Sequence, residues 1–221
     1  MDESIILTIA IIGGTGNEGP GLALRWANAG YKVIIGSRQA EKAQRVAREL
    51  NEQLGIESIQ GLENAEAVQN ANICVLTVVR SAHREILESL KEVLQGRILV
   101  DATVDVDFRD PKPPSAPCAA REAQELLGQG VRVVAAFQTI PAHALRENID
   151  EPMNMDVLVF SDDEAAAEEV IMLAEAGGMD AYYAGELDGA LVVEGLSAIL
   201  IHLNRRYRSK NGAIKVTGIS K

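Results

Sequence analysis

Aliphatic runs alternate with helix-length amphipathic segments along almost the whole chain. The runs Ile5–Ile12, Lys32–Ile35, Ile73–Val79, Arg97–Asp101, Val131–Phe137 and Asp156–Phe160 are the strongest strand candidates, with weaker ones at Ser58–Gln60 and Ala181–Tyr183. Their apolar residues are continuous rather than alternating, as expected of parallel strands covered on both faces. Between them lie helix candidates. Leu22, Ala23, Trp26 and Ala27 share one face of the first, and Gly30 is a natural stop. Ala40–Leu54, Ala82–Val93, Ala119–Leu127 and Asp163–Ala176 follow. This order predicts an α/β fold, a doubly wound and mostly parallel sheet with right-handed crossovers.

Two segments break the rhythm. Thr103–Pro117, "TVDVDFRDPKPPSAP", carries four prolines and is long for a connection between a strand and a helix. It reads either as a lid or pocket wall or as a plain surface loop. Near the end, Leu187–Arg208 reads as a long helix, apolar through "LSAILIHL" and then basic, followed by a short strand-like "AIKVTG". The expected organisation is a nucleotide-binding domain over 1–185 and a small C-terminal helical segment over 186–221.

Gly14-Thr15-Gly16-Asn17-Glu18-Gly19 fits G-x-G-x-x-G between a strand and a helix, the context that motif needs. The first glycine permits a tight turn, the second lets the backbone approach a pyrophosphate, and the third allows close helix–strand packing. The diphosphate would then sit on free N–H groups at the positive end of the helix. Pro20 suits an early helical position. A glycine-rich turn without a ligand is the bland alternative. With strand, helix and second strand all in place, the motif points to a Rossmann-like dinucleotide site. An NAD site usually ends its second strand in Asp or Glu, to hold the ribose 2′-OH. Here that tip is Gly36-Ser37-Arg38, with Lys42 one turn on. A hydroxyl, a planar guanidinium and a point charge suit a 2′-phosphate, hence NADP.

Composition narrows the rest. The 221 residues carry a formal net charge of −11 with 47% hydrophobic content, which disfavours nonspecific binding to nucleic acid or to anionic membranes. Cys74 and Cys118 form neither a CxxC pair nor a disulfide framework. Cys74 reads as a packed thiol, whereas Cys118 at a helix start could have a lowered pKa. The start "MDESIILTIAII" is acidic before its apolar run, unlike a signal peptide, so a cytoplasmic protein is expected. His83, His143 and His202 lack metal-ligand spacing, and no metal is expected. His202 reads as a packed or partner-facing residue, and His143 either borders a cleft or caps a turn. Arg205, Arg206, Arg208 and Lys210 read as a solvated helix end or as an anchor for an anionic tail. The stripe Leu196, Ile199, Leu200 and Leu203 reads as core or as a dimer seam.

The segments "GGTGN", "GSRQAEK", "VLTV", "VVAAFQTIPAH", "DVLVFSDD" and "LVVEGLSAILIHLNRRY" resemble the NADPH-dependent reductases of the deazaflavin coenzyme F420. The resemblance runs nearly end to end. It implies reversible hydride transfer between NADP(H) and coenzyme F420, the two rings stacked in a cleft, with no metal and no covalent intermediate. It also implies a homodimer and small-molecule coenzymes as the partners, with neither nucleic acid nor membrane. Carried over, Gly14, Thr15, Gly16, Asn17, Glu18 and Gly19 cradle the NADP phosphates, and Ser37, Arg38 and Lys42 hold the 2′-phosphate. Val78, Val79 and Arg80 border the dinucleotide, and Val104 and Val106 line the ring cleft. Ile140 and Ala142 meet the nicotinamide carboxamide, and Gly212 touches the deazaflavin. No catalytic side chain is assigned, since Gln138 stands where archaeal members can carry His. Arg80 replaces a common tryptophan, and Cys118 a common serine. Other expectations open to the residues are an NADPH-dependent reductase of a flavin, a ferric chelate or another small acceptor, and a non-enzymatic NADPH-binding sensor.

Overall fold

The computed structural model describes residues 7–219; Ile5 and Ile6 of the first expected strand lie outside them. The chain runs β1 (Thr8–Ile12), α1 (Gly19–Asn28), β2 (Lys32–Ser37), α2 (Ala40–Leu54), β3 (Ile59–Glu63), α3 (Asn64–Gln69), β4 (Ile73–Leu76), α4 (Arg80–Leu90), β5 (Ile98–Asp101), α5 (Ala119–Leu127), β6 (Arg132–Ala135), β7 (Asp156–Ser161), α6 (Glu164–Ala176), β8 (Asp180–Gly185) and α7 (Ala190–Tyr207). All eight strands join one sheet in the order β3-β2-β1-β4-β5-β6-β7-β8. Every described pairing is parallel except β6 with β7.

Successive residues of a strand feed opposite layers. In β1, Ile9 and Ile11 face the α1–α2–α6 side, packed with Leu22, Trp26 and Val170. Ala10 and Ile12 face the other side, with Leu87, Leu99 and Ala123. Both layers exclude water from β1, so each large aliphatic there contributes roughly 1.5–3 kcal/mol. Leu187, Ala190 and Val193 belong to the second cluster, so the root of α7 is packed on the sheet.

Three elements depart from the sequence reading. The fourth strand stops at Leu76 rather than Val79, leaving Thr77–Val79 as an extended turn. Helix α3 is too short to show a period. The tail "AIKVTG" is not a strand. It is held by Asp156, whose Oδ2 accepts from Val216 N at 2.7 Å and whose N–H donates to Ile214 O at 3.0 Å. Lys215 reaches Asp156 at 2.7 Å and Asp180 at 2.8 Å. Side-chain and single backbone contacts therefore hold the tail where a ladder was expected.

Candidate functional site

The switch in strand order between β1 and β4 opens a crevice at the carboxyl ends of the strands, where open α/β sheets bind ligands. It is a cleft of about 580 Å³ lined among others by Gly13, Thr15, Gly16, Ser37, Arg38, Lys42, Val78 and Val79.

The glycine turn is built by close approach. Gly14 N–H donates to Ile11 O at 3.1 Å and to Gly36 O at 2.9 Å, which folds the turn back on β1 and β2. A Cβ on Gly14 would meet Ile11 O at 2.7 Å, and one on Gly19 would meet Gly14 Cα at 2.5 Å. These two glycines shape the turn without lining the cleft. Gly16 does line it, and a Cβ there would meet nothing closer than 3.5 Å. Gly13, absent from the sequence reading, has φ +69°, a conformation that favours glycine. Its N–H donates to Asn64 Oδ1 at 3.3 Å, so the unforeseen α3 also supports the turn.

At the β2 end, Ser37 is buried and its Oγ accepts from Gln39 N at 3.2 Å. Its hydroxyl hydrogen stays available to the cleft. Arg38 and Lys42 are exposed, and their side chains have no ion-pair partner among the described residues. Glu63, Asn64, Thr77, Ala82, Glu85, Ile86 and Ser89 also line the cleft and were not foreseen, because their positions depend on which strand tips and helix starts become neighbours.

The opposite flank lies beyond β5 and β6. Val104, Val106, Ile140, Ala142 and Gly212 are not among the residues lining the dinucleotide cleft. Val106 and Ile140 are buried, and Gly212 donates to Asn204 Oδ1 at 2.9 Å. Arg80 starts α4 and bridges the expected border region to Glu122 at 2.6 Å and Asp105 at 3.4 Å. Phe137, at φ +75°, turns the chain after β6 while its ring packs edge-on against Trp26 at 5.8 Å. That turn aims Gln138 Nε2 at Asp101 O, 2.8 Å away, and Ser197 Oγ donates to Gln138 O at 2.7 Å.

Asp101 anchors a buried polar network that sequence spacing did not announce. Its Oδ1 accepts from Thr103 N at 2.9 Å and its Oδ2 lies 2.7 Å from His83 Nε2. Arg80 Nη1 stands 3.3 Å from His83 Nδ1, which assigns the ring hydrogen to Nε2. Thr103 Oγ1 and Gln138 Oε1 are buried with no partner. Buried polar atoms without partners are rare, and here both belong to residues that bond Asp101, one at its carboxylate and one at its backbone carbonyl.

The Thr103–Pro117 segment is strapped down by α7. Glu194, buried, accepts from Asp105 N at 3.1 Å and from Ala119 N at 2.8 Å. Burial pushes its carboxyl up to about 7, against the opposing pull of the two N–H groups; Asp101 adds to the rise and Arg80 opposes it. His202 Nε2 bonds to Pro111 O at 2.8 Å, and Arg205 Nη1 donates to Arg109 O at 3.2 Å while its Nη2 donates to Phe108 O. Two of the Arg205 nitrogens are thereby engaged by the strap. His202 is a strap contact, and exposed His143 pairs with Glu147 at 3.2 Å. Cys118 is buried with Sγ 3.4 Å from Leu187 O, and burial raises its pKa rather than lowering it. Cys74 is packed as expected, its thiol pushed up to about 12 by burial.

A mostly parallel sheet with a glycine turn at its switch point and two exposed cations at the second strand tip defines a dinucleotide-binding protein of the Rossmann class. The family model for NADP oxidoreductase, coenzyme F420-dependent, matches residues 8–105. A protein of Methanothermobacter thermautotrophicus named F420-dependent NADP reductase is 41% identical over 99% of this chain and 98% of its own length. One of the same name from Methanocaldococcus jannaschii is 38% identical over 96% and 99%. The chain belongs to the F420-dependent NADP reductase family. A crystal structure of a candidate F420-dependent NADP-reductase from Arthrobacter sp. FB24 shares the fold, with TM-score 0.79 over 96% of this chain and all of that one, at 24% identity.

Proposed function

We propose that the protein is an NADP-dependent oxidoreductase that moves a hydride reversibly between NADP(H) and the deazaflavin coenzyme F420. The observation that carries this reading is the near full-length identity to the two archaeal reductases, on a chain whose glycine turn and Arg38–Lys42 pair meet in one cleft. The residues present fit NADP. Gly14 and Gly19 let the turn fold tightly, Gly16 lines the cleft with no atom closer than 3.5 Å to where a Cβ would stand, and the buried Ser37 hydroxyl with the Arg38 and Lys42 cations suits a 2′-phosphate. The orphaned Thr103 Oγ1 and Gln138 Oε1 suit a ligand edge bearing both donors and acceptors, as the nicotinamide carboxamide and the deazaflavin pyrimidine edge do.

When bound, the two coenzymes supply the hydride donor and acceptor. The chain's part is to hold them. Thr15, Asn17 and Glu18 offer backbone N–H groups to the diphosphate, and Gly16, whose own N–H is held by Gly13 O, leaves the approach open. Ser37, Arg38 and Lys42 hold the 2′-phosphate, and Val78, Val79 and Arg80 border the dinucleotide. Ile140 and Ala142 present backbone to the carboxamide. Val104 and Val106, on the strap closed by Glu194, wall the second ring, and Gly212 lies toward the deazaflavin. Orientation and exclusion of water are the effects from which a bound pair gains most. We read 1–185 as the nucleotide-binding domain and 186–221 as the part completing the cleft.

The exposed side chains Val192, Ile199, Leu203 and Tyr207 along α7 support a homodimer seam. Residues Leu187–Tyr207 are long and apolar enough to cross a membrane by length and composition. The contacts of Glu194, Ser197, His202 and Arg205 support instead a helix docked on its own chain, in a cytoplasmic protein with no membrane or nucleic-acid partner. The test is anaerobic NADPH oxidation by the purified protein with and without oxidised F420. Rapid F420-dependent oxidation is expected. Turnover only with FMN, FAD or ferric chelates would move the reading to another acceptor, and saturable NADPH binding without turnover to a sensor.

A further inference from the structure

Glu18 is an acid in an improbable place. It is the last residue before α1, with helical dihedrals of −86° and −45°, and no capping bond is made by its side chain. Its Oε1 is buried and has no hydrogen-bond partner. A carboxyl oxygen taken out of water without a partner costs several kcal/mol unless the group changes protonation or meets a ligand.

Helical spacing places this side chain. Gly21, Leu22 and Arg25 follow Glu18 at three, four and seven residues and so share its face. That face looks at the segment after β6. A Cβ on Gly21 would meet Leu145 Cβ at 2.5 Å and Ala142 O at 3.5 Å, and Arg25 Nε donates to Leu145 O at 3.1 Å. Side chains lean toward a helix's N-terminus, so Glu18 projects past the helix start on the side of Ile140–Ala142. A dinucleotide held with its adenosine half over β2 and β3 and its diphosphate at the glycine turn must run its nicotinamide half over β4, β5 and β6. The half-buried Glu18, its Oε1 fully covered, is therefore turned toward the nicotinamide side of the turn.

The oxidised nicotinamide ring carries a positive charge and the reduced ring carries none. We propose that Glu18 senses the redox state of the bound nicotinamide, its carboxylate favouring the cationic oxidised ring over the neutral reduced one. This rests on the reading that NADP occupies the cleft. The charged groups on the neighbouring elements are already committed. Arg25 bonds four carbonyls, Arg146 Nη2 donates to Asn17 O at 3.3 Å, and His143 pairs with Glu147. None of them neutralises Glu18, and burial alone pushes its carboxyl up to about 8. Below that value the group is neutral and discriminates little. Above it, the charge is present and the oxidised coenzyme gains.

The experiment measures dissociation constants of NADP+ and NADPH separately, by calorimetry, at about pH 6.5 and about pH 9.5, on either side of the carboxyl's value. The preference for NADP+ over NADPH should rise roughly tenfold or more across that range, as an opposite charge a few Å away in a poorly screened site requires. Glu18→Gln and Glu18→Leu should hold the preference flat. A wild-type preference that does not move with pH overturns the inference while leaving NADP binding intact, and so does a Glu18→Gln protein that keeps the full rise. Failure of both nucleotides to bind at either pH overturns the coenzyme reading and this inference with it.

Discussion

Arg25 lies 3% exposed on α1 and meets no carboxylate among the described residues. Its guanidinium donates to Leu145 O at 3.1 Å, Glu151 O at 3.2 Å, Gly177 O at 3.3 Å and Glu147 O at 2.7 Å. Three of these carbonyls belong to the segment after β6 that walls the proposed nicotinamide end. Arg25→Met keeps much of the volume and removes every donor. The bonds to Leu145 and Gly177 are buried; at about 1.5 kcal/mol or more for each bond to a charged group, they set a floor of about 3 kcal/mol. Water reaches the other two, which add less, so the expected loss is about 3–5 kcal/mol. Urea unfolding at constant m-value reads this loss. NADPH binding by the folded fraction should weaken as well, because the 142–147 wall is no longer pinned to the helix that carries the diphosphate turn. A stability loss below about 1 kcal/mol would show that water replaces the guanidinium at all four carbonyls and would refute the pin.

Arg38→Ala should weaken NADPH about 10- to 100-fold and NADH less than about threefold, since a lost charge-assisted phosphate contact costs about 1.5–3 kcal/mol; equal weakening in fluorescence titrations would mean that Arg38 does not read the 2′-phosphate. For Glu194, the folded carboxyl sits at about 7, above its ordinary 4.5. Its stability contribution is therefore complete below the unfolded value and lost as pH rises through about 7. Wild type should lose about 3 kcal/mol relative to Glu194→Gln between those limits, and parallel pH profiles of unfolding would exclude this.

Much of the fold was legible because the sheet is mostly parallel and covered on both faces. Continuous runs such as Ile9–Ile12 have nowhere to go but a central strand, and helices such as Ala40–Leu54 carry one apolar stripe facing it. Short pieces were not legible. Asn64–Gln69 is only six residues, shorter than two helical turns, and the side chain of Glu63, accepting from Ala65 N at 2.9 Å, begins it without an apolar period to announce it. The tail at 213–218 had strand-like composition, yet Asp156 takes up its backbone and Lys215 through side-chain bonds. Composition favours an extended chain there; it cannot say whether a sheet edge is free to pair.

The candidate site divides along the same physical line. The phosphate end is local: a turn needs glycine where backbone meets backbone, and a phosphate needs cations at the next strand tip, so both are written in consecutive residues. The ring end is assembled from distant ones. Asp101 closes β5, His83 sits 18 residues earlier on α4 and Gln138 lies 37 later, and they meet only because β4, β5 and β6 are neighbours. Glu194 reaches back 89 residues to Asp105. Glu18 belongs to both ends. The motif makes its position a phosphate residue, and its backbone fits that part. Its Oε1 is covered and has no hydrogen-bond partner, and helical spacing turns the side chain toward the segment after β6. An acid at the fifth position of G-x-G-x-x-G is visible in the sequence, but its consequence is not, because the consequence depends on which wall stands opposite the helix start. The local half of this site thus carries the dinucleotide motif, and on the proposed reading the assembled half holds the ring.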